Sequence, residues 1–206
     1  PLDGLRILAP TQLGAGPLPA TPENVRRARQ YVQSLGGEGG TQMIEGIKAA
    51  LDFPHDPERL RFVTFLTDGF IGNELEILGA IHTRLGDSRI FSFGVGSSVN
   101  RYLLDSMAGF GRGAVAYLGL EDSGREVMDF FFDRISHPAL IDVGVDWGNM
   151  HVSDVYPSVL PDLFVGRPVT VTGKYLGQAS EPRATGRAGG RAVSIAIPHD
   201  ASAPEH

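Results

Sequence analysis

The sequence predicts an α/β protein: a mainly parallel sheet with helices on both faces, followed by an antiparallel, sandwich-like β segment. Three observations carry this. Between residues 60 and 118, apolar runs of strand length alternate with stretches of helical spacing, as strands buried on both faces and joined by crossover helices require. From residue 138 onward, apolar and polar residues alternate with a period of two and no helix intervenes, the pattern of antiparallel strands with one wet face. Turn-forming Gly and Pro residues separate the runs throughout.

The elements follow in order. The first twenty residues read as loop, with at most a short strand at Leu5-Arg6-Ile7-Leu8. Thr21-Pro22-Glu23 is a helix start, with a hydroxyl cap, Pro in the first turn and an early carboxylate. Val25, Ala28, Val32 and Leu35 keep helical spacing until Gly36-Gly37. Gly39-Gly40-Thr41 opens a second helix with Ile44, Ile47 and Leu51 on its apolar face. Leu60 to Thr67 is a buried strand ending in Asp68-Gly69. Leu75, Leu78, Ile81 and Leu85 predict a helix, and Arg89 to Val95 a second buried strand. Tyr102, Leu103, Met107 and Ala108 mark a short helix before the strand Ala114 to Leu118. Ser123-Gly124-Arg125-Glu126 fits a capping box, followed by Val127, Phe130, Phe131 and Ile135.

The pattern changes at His137-Pro138. Ile141, Val143, Val145 and Trp147 alternate with Asp142, Gly144 and Asp146, and the same alternation returns at Val169 to Tyr175 and Val193 to Ile197. The expected organisation is an α/β domain over residues 1–137, a β-rich segment over 138–200 and a tail over 201–206. Arg183, Arg187 and Arg191 stand among glycines without aromatic partners and read as a solvated loop.

Composition narrows the function. With 206 residues, 42% hydrophobic and 20% charged, the chain suits one ordinary domain and part of another. A net charge of −6 argues against a nucleic-acid surface. The absence of cysteine removes thiol catalysis, thiolate metal sites and disulfides. No apolar run approaches the roughly 18–20 residues that span a bilayer.

Ligands of an open parallel sheet bind beyond the carboxyl ends of its strands. Asp68 stands at such an end, before a Gly that permits a tight turn, and Thr41 opens the helix that precedes the strand. A carboxylate and a hydroxyl are hard oxygen donors suited to Mg²⁺. Read singly, Thr41 is more readily a helix cap than a metal ligand, and Asp68 is equally a bond acceptor for its own turn. The six His residues are scattered without metal spacing. Gly36 to Gly40 lacks the Lys of a phosphate loop, and Gly94-Val95-Gly96-Ser97-Ser98 lacks the third glycine of a dinucleotide fingerprint. Trp147 and Phe130-Phe131-Phe132 read as core.

Together these landmarks resemble a known family. Gly39-Gly40-Thr41-Gln42-Met43 and Phe62-Val63-Thr64-Phe65-Leu66-Thr67-Asp68-Gly69 look like the second and third parts of the metal-ion-dependent adhesion site of von Willebrand factor A domains. Ile90 to Gly96, Val99-Asn100, Leu103-Leu104, Pro161-Asp162-Leu163-Phe164 and Gly166-Arg167-Pro168 extend the likeness, over roughly residues 18 to 176. It is similar to the subgroup related to inter-alpha-trypsin inhibitor heavy chains, in which a VIT domain precedes the A domain.

The resemblance implies a Rossmann-like fold and a non-enzymatic protein-binding or adhesion module within a larger protein. Its divalent cation, Mg²⁺ above all, would meet an acidic group on a protein partner. Thr41 would be the metal-linked hydroxyl and Asp68 the carboxylate. It also implies an extracytoplasmic, secreted or envelope-associated setting. The family's first motif, Asp-x-Ser-x-Ser, has no match in Pro1 to Ala20. The expectation is therefore a chain that begins after the first strand and helix, without the VIT domain. It would carry an exposed strand edge and bind metal weakly or not at all by itself. The competing expectations are a metal-free structural scaffold and, lower in rank, an Mg²⁺-dependent enzyme using Asp68.

Overall fold

The computed structural model describes residues 6–7, 18–34, 43–68, 72–119, 121–136, 138–164, 167–177 and 180–198. The chain divides into two compact units. One holds the residues up to Arg61 together with Asn73–Ser88, and the other Phe62–Gly72 together with the residues from Arg89 onward.

In the first unit, β1 (Arg6–Ile7) pairs antiparallel with β2 (Leu18–Pro19). Helix α1 (Pro22–Ser34) starts where the capping residue predicts: Thr21 Oγ1 accepts from the Asn24 amide at 3.3 Å. Its predicted apolar face is wrong at Val32, which is 65% exposed. Helices α2 (Met43–Asp52) and α3 (Glu74–Arg84) pack on each other. Ile47 and Leu51 are buried in α2 as predicted, with Met43 rather than Ile44 completing the face. In α3 the buried set is Ile77, Ala80 and Ile81, whereas Leu75 is exposed. Two apolar stripes share Ile81, and the one carrying the small Ala80 is the one buried.

Arg61 ends α2 chemically. Its guanidinium donates to the carbonyls of Leu51 and Phe53 and to Ser88 Oγ, each at 2.7 Å. Carbonyls left unpaired by the last helical turn thus find a cationic donor. Burial pushes the Arg61 pKa below its ordinary value, and the charge of Asp52 acts against that.

The second unit is built on a parallel sheet in the order β3 (Phe62–Thr67), β4 (Arg89–Val95), β5 (Ala114–Leu118). Helix α4 (Arg101–Phe110) covers one face, with Leu103, Leu104, Met107 and Ala108 buried. Helix α5 (Gly124–Ser136) covers the other: the Phe131 ring lies 5.0 Å from Phe91 and 4.9 Å from Phe93, both edge-on. Side chains alternate along a strand, so Phe91 and Phe93 serve α5 while Ile90 and Gly94 serve α4. A Cβ on Gly94 would press on Leu104 and Tyr117. Ser123 Oγ caps α5 from the Glu126 amide at 3.4 Å, as the capping pattern predicts.

The three strands are not equally buried. β4, central, is buried along almost its whole length. β3, expected to be covered on both faces, pairs with β4 alone among the described residues, and Leu66 is 61% exposed.

Then come β6 (Pro138–Asp146), β7 (His151–Tyr156), β8 (Leu163–Phe164), β9 (Thr172–Leu176), β10 (Arg183–Ala188) and β11 (Arg191–Ala196). They form an antiparallel sheet in the order β11-β10-β6-β8 and a separate pair β7-β9. The Arg-containing stretch read as loop is instead the β10–β11 hairpin, with positive φ at both Gly189 and Gly190. Gly189-Gly190 between two alternating runs is itself a two-residue hairpin signal.

Candidate functional site

Parallel strands in register end at one rim. Asp68 follows Thr67 of β3, Gly96 follows Val95 of β4, and Gly119 follows Leu118 of β5. The Gly96 amide donates to the Leu118 carbonyl at 2.8 Å, and the Gly119 amide to Asp122 Oδ2 at 2.6 Å. Asp68 is exposed at this rim, as are Ser97 and Ser98 beyond the end of β4. Thr41, the other predicted metal donor, lies outside the described residues. These oxygens are of the kind a hard divalent cation takes. Among the described residues, however, no three His, Asp or Glu side chains stand together as a metal-holding group. The described donors fit Mg²⁺ in kind and fall short of it in number.

Further along β5, Tyr117 carries the Arg101 guanidinium over its ring, 4.1 Å from the centroid. Its hydroxyl donates to Asp105 Oδ1 at 2.9 Å. Burial first, then the hydrogen bond and charge of Asp105, push the Tyr117 pKa up to about 12, against the opposing charge of Arg101. So held, Tyr117 is a poor general base at neutral pH.

The most developed polar structure was missed by sequence reasoning. Arg89, 1% exposed at the start of β4, donates to both carboxylate oxygens of Asp162, which is itself fully buried. Arg89 Nη2 also reaches Asp142 Oδ1 at 2.8 Å. The same Oδ1 accepts from Arg112 Nη1 at 2.9 Å, and Oδ2 lies 3.1 Å from Arg187 Nε. The Asp142 amide donates to Asp162 Oδ1 at 2.9 Å. Burial lowers the Arg89 pKa, but the hydrogen bonds and charges of Asp162 and Asp142 outweigh it and the net direction is upward.

Local backbone places the outer members. Asp142 has φ +53°, where β6 carries an extra residue against β10. Such a bulge re-aims a side chain. Arg112 has φ +52° between two glycines that hug β4: a Cβ on Gly113 would overlap the Ile90 carbonyl oxygen. The period-two pattern assigned Asp142 to a wet face, Asp162 stood only within the family-like run Pro161-Asp162-Leu163-Phe164, and nothing local marked Arg89 as its partner. Their separation of 73 residues hides the pair from any reading of neighbours.

Beside this network opens a cleft of about 430 Å³, lined by Arg112 and Asp142 and by Val145, Trp147, Val155 and Leu160, among others. It lies between β6 and the β7 strand with its following loop.

Comparison with known proteins places the fold. Residues 9–117, more than half of the chain, match the model of the von Willebrand factor type A domain. The chain is 31% identical, over 72% of its length, to a von Willebrand factor A domain-containing protein of Dictyostelium discoideum, covering 7% of that protein. It is 26% identical over 76% of its length to inter-alpha-trypsin inhibitor heavy chain H2 of Sus scrofa, covering 18% of it. The chain thus spans less than a fifth of the length of these relatives. The solved von Willebrand factor type A structure from Catenulispora acidiphila superposes with a TM-score of 0.60 at 19% identity, over 88% of this chain and 51% of that one. With its parallel β3-β4-β5 sheet flanked by α4 and α5, the chain belongs to the von Willebrand factor type A domain family, whose members commonly mediate protein interaction and adhesion.

Proposed function

We propose that the chain is a protein-binding module, not an enzyme, and that it recognises an acidic group of a protein ligand through a divalent cation at the carboxyl rim of the parallel sheet. The observation that carries this is Asp68: an exposed carboxylate directly after β3, in a chain of this family. Thr41 is the hydroxyl assigned to the same ion. When bound, Mg²⁺ supplies positive charge for the ligand's carboxylate. Asp68 anchors the ion and lowers its net charge. One carboxylate against a divalent ion makes a weak site, so tight binding needs donors beyond those described, within a larger protein of the VIT-associated kind. An extracytoplasmic, secreted or envelope-associated setting accompanies this reading. Among the described residues no helix is long and apolar enough to cross a membrane.

The test is a Mn²⁺ titration of the 206-residue chain followed by NMR line broadening. Millimolar Mn²⁺ is expected to broaden the amides around Thr67 and Asp68 first, and Asp68→Asn to remove that selectivity. Broadening centred elsewhere, or unchanged in the variant, rules out Asp68 as the anchor. Submicromolar Mg²⁺ affinity by calorimetry would contradict the weak site. The shortfall of carboxylates favours one second reading, a metal-free scaffold. Ligand capture by the chain that persists in chelator would select it.

A further inference from the structure

Helix α1 presents a basic face to which the described residues bring no counter-charge. It carries Arg26, Arg27 and Arg29 against one acidic residue, Glu23, and buries none of its side chains. Val25, Ala28 and Tyr31 are half-buried and form its inner side, while all three arginines, Val32 and Gln33 are exposed. Residues three apart are neighbours on a helix surface. Arg26 and Arg29 therefore stand side by side, with Arg27 further round the same exposed side.

Among the described residues none of these arginines lies in an ion pair or a side-chain hydrogen bond. Glu23, within a turn of Arg26 and Arg27, pairs with neither. By contrast Arg59, Arg84, Arg89, Arg112 and Arg187 each meet a carboxylate. Like charges three apart weaken a helix slightly, so the arrangement does not serve the helix itself. Val32, 65% exposed and three residues after Arg29, adds apolar surface beside the guanidiniums. Arginine is enriched in protein interfaces, and its donor fork fits a carboxylate. The net charge of −6 opposes attraction of the whole chain to a nucleic acid or an anionic membrane. A short acidic segment meets only the local charge, because exposed charges are screened beyond about 10 Å.

We propose that the exposed face of α1 docks a short acidic segment of a partner protein. Its carboxylates pair with Arg26, Arg27 and Arg29 while an adjacent apolar side chain lies against Val32. No rim residue takes part, so this proposal and the metal-dependent reading fail separately.

The probe is acetyl-Glu-Asp-Glu-Leu-Glu-Asp-amide, set against acetyl-Gln-Asn-Gln-Leu-Gln-Asn-amide, each added to the isotopically labelled 206-residue chain in chelator. The acidic peptide is expected to shift the α1 amide and arginine Nε–H signals saturably, and the uncharged peptide to leave them in place. An exposed ion pair contributes up to about fivefold in affinity, so R26Q/R27Q/R29Q should weaken the acidic peptide by at least about tenfold. Gln matches Arg in helix propensity, so the helix is kept. Raising the salt from about 0.05 M to about 0.5 M shortens the screening length from about 14 Å to about 4 Å and should weaken binding similarly. Glu23→Gln, which removes the one acid of the helix, should strengthen binding about twofold. Shifts centred outside α1, or affinity unchanged in the triple variant, would overturn the proposal. Sedimentation of the chain with vesicles of phosphatidylserine and phosphatidylcholine, lost in the triple variant, while the peptide leaves α1 unshifted would assign the face to a lipid surface and equally overturn it.

Discussion

Asp162 accepts from Arg89 and from the Asp142 amide while fully buried. Replacing it by Asn keeps the shape and removes the charge, leaving the buried Arg89 guanidinium with Asp142 as its one carboxylate among the pairs described, held through Nη2. Breaking one partner of a buried pair costs about 3–5 kcal/mol, and urea unfolding of Asp162→Asn should show a loss of that size. The double variant Arg89→Met, Asp162→Asn removes both charges, keeps an oxygen for the Asp142 amide and should recover much of it, because burying an ion pair gains little over burying uncharged groups. A single variant as stable as the parent would mean that the pair is hydrated in solution. Short-range signals at this scale were legible: the hydroxyls of Thr21 and Ser123 cap their helices by accepting from amides three residues downstream. The end of β3 just before Asp68 was legible because an apolar run that closes on Asp-Gly announces its own end. Arg89 was not, since its need for a counter-ion is met 53 and 73 residues away.

Among elements, the parallel strands were readable to within two residues: β4 because a central strand is apolar on both faces, β3 and β5 because their apolar runs stop at turn residues. Helix faces were less readable wherever two stripes compete, as Leu75 and Ile77 do in α3. The β10–β11 hairpin shows how backbone conformation can be separated from space. Gly189 and Gly190 have φ of +57° and +78°, and a Cβ on either would meet no atom within 4 Å. Only the left-handed conformation therefore opposes a side chain, at about 1–2 kcal/mol per residue. Gly189→Ala with Gly190→Ala should lower stability by about 2–4 kcal/mol in chemical denaturation, while Gly189→Asn, which tolerates this conformation, should be near neutral. Equal effects from Ala and Asn would show that the turn is not held in this form.

At the scale of the whole molecule, the unit that contains the parallel sheet also contains β6 to β11. Two contacts explain why. Asp162 neutralises the first residue of β4, and Phe164 of β8 stacks edge-on against Phe91 at 5.7 Å, inside the cluster formed with Phe93 and Leu118. Opening β6 and β8 would therefore strand Arg89 and wet the aromatic core beneath α5. Cooperative units exchange their protected amides at one free energy. Native-state hydrogen exchange should accordingly find β4 and β6 opening within about 1 kcal/mol of each other, and Asp162→Asn should lower both together. The exposed strand β11, at the edge of its sheet, should exchange sooner by fraying without changing that common value. If β6 opened well below β4, and Asp162→Asn left β4 untouched, the buried ion pair would be holding a local loop rather than joining the antiparallel strands to the parallel sheet.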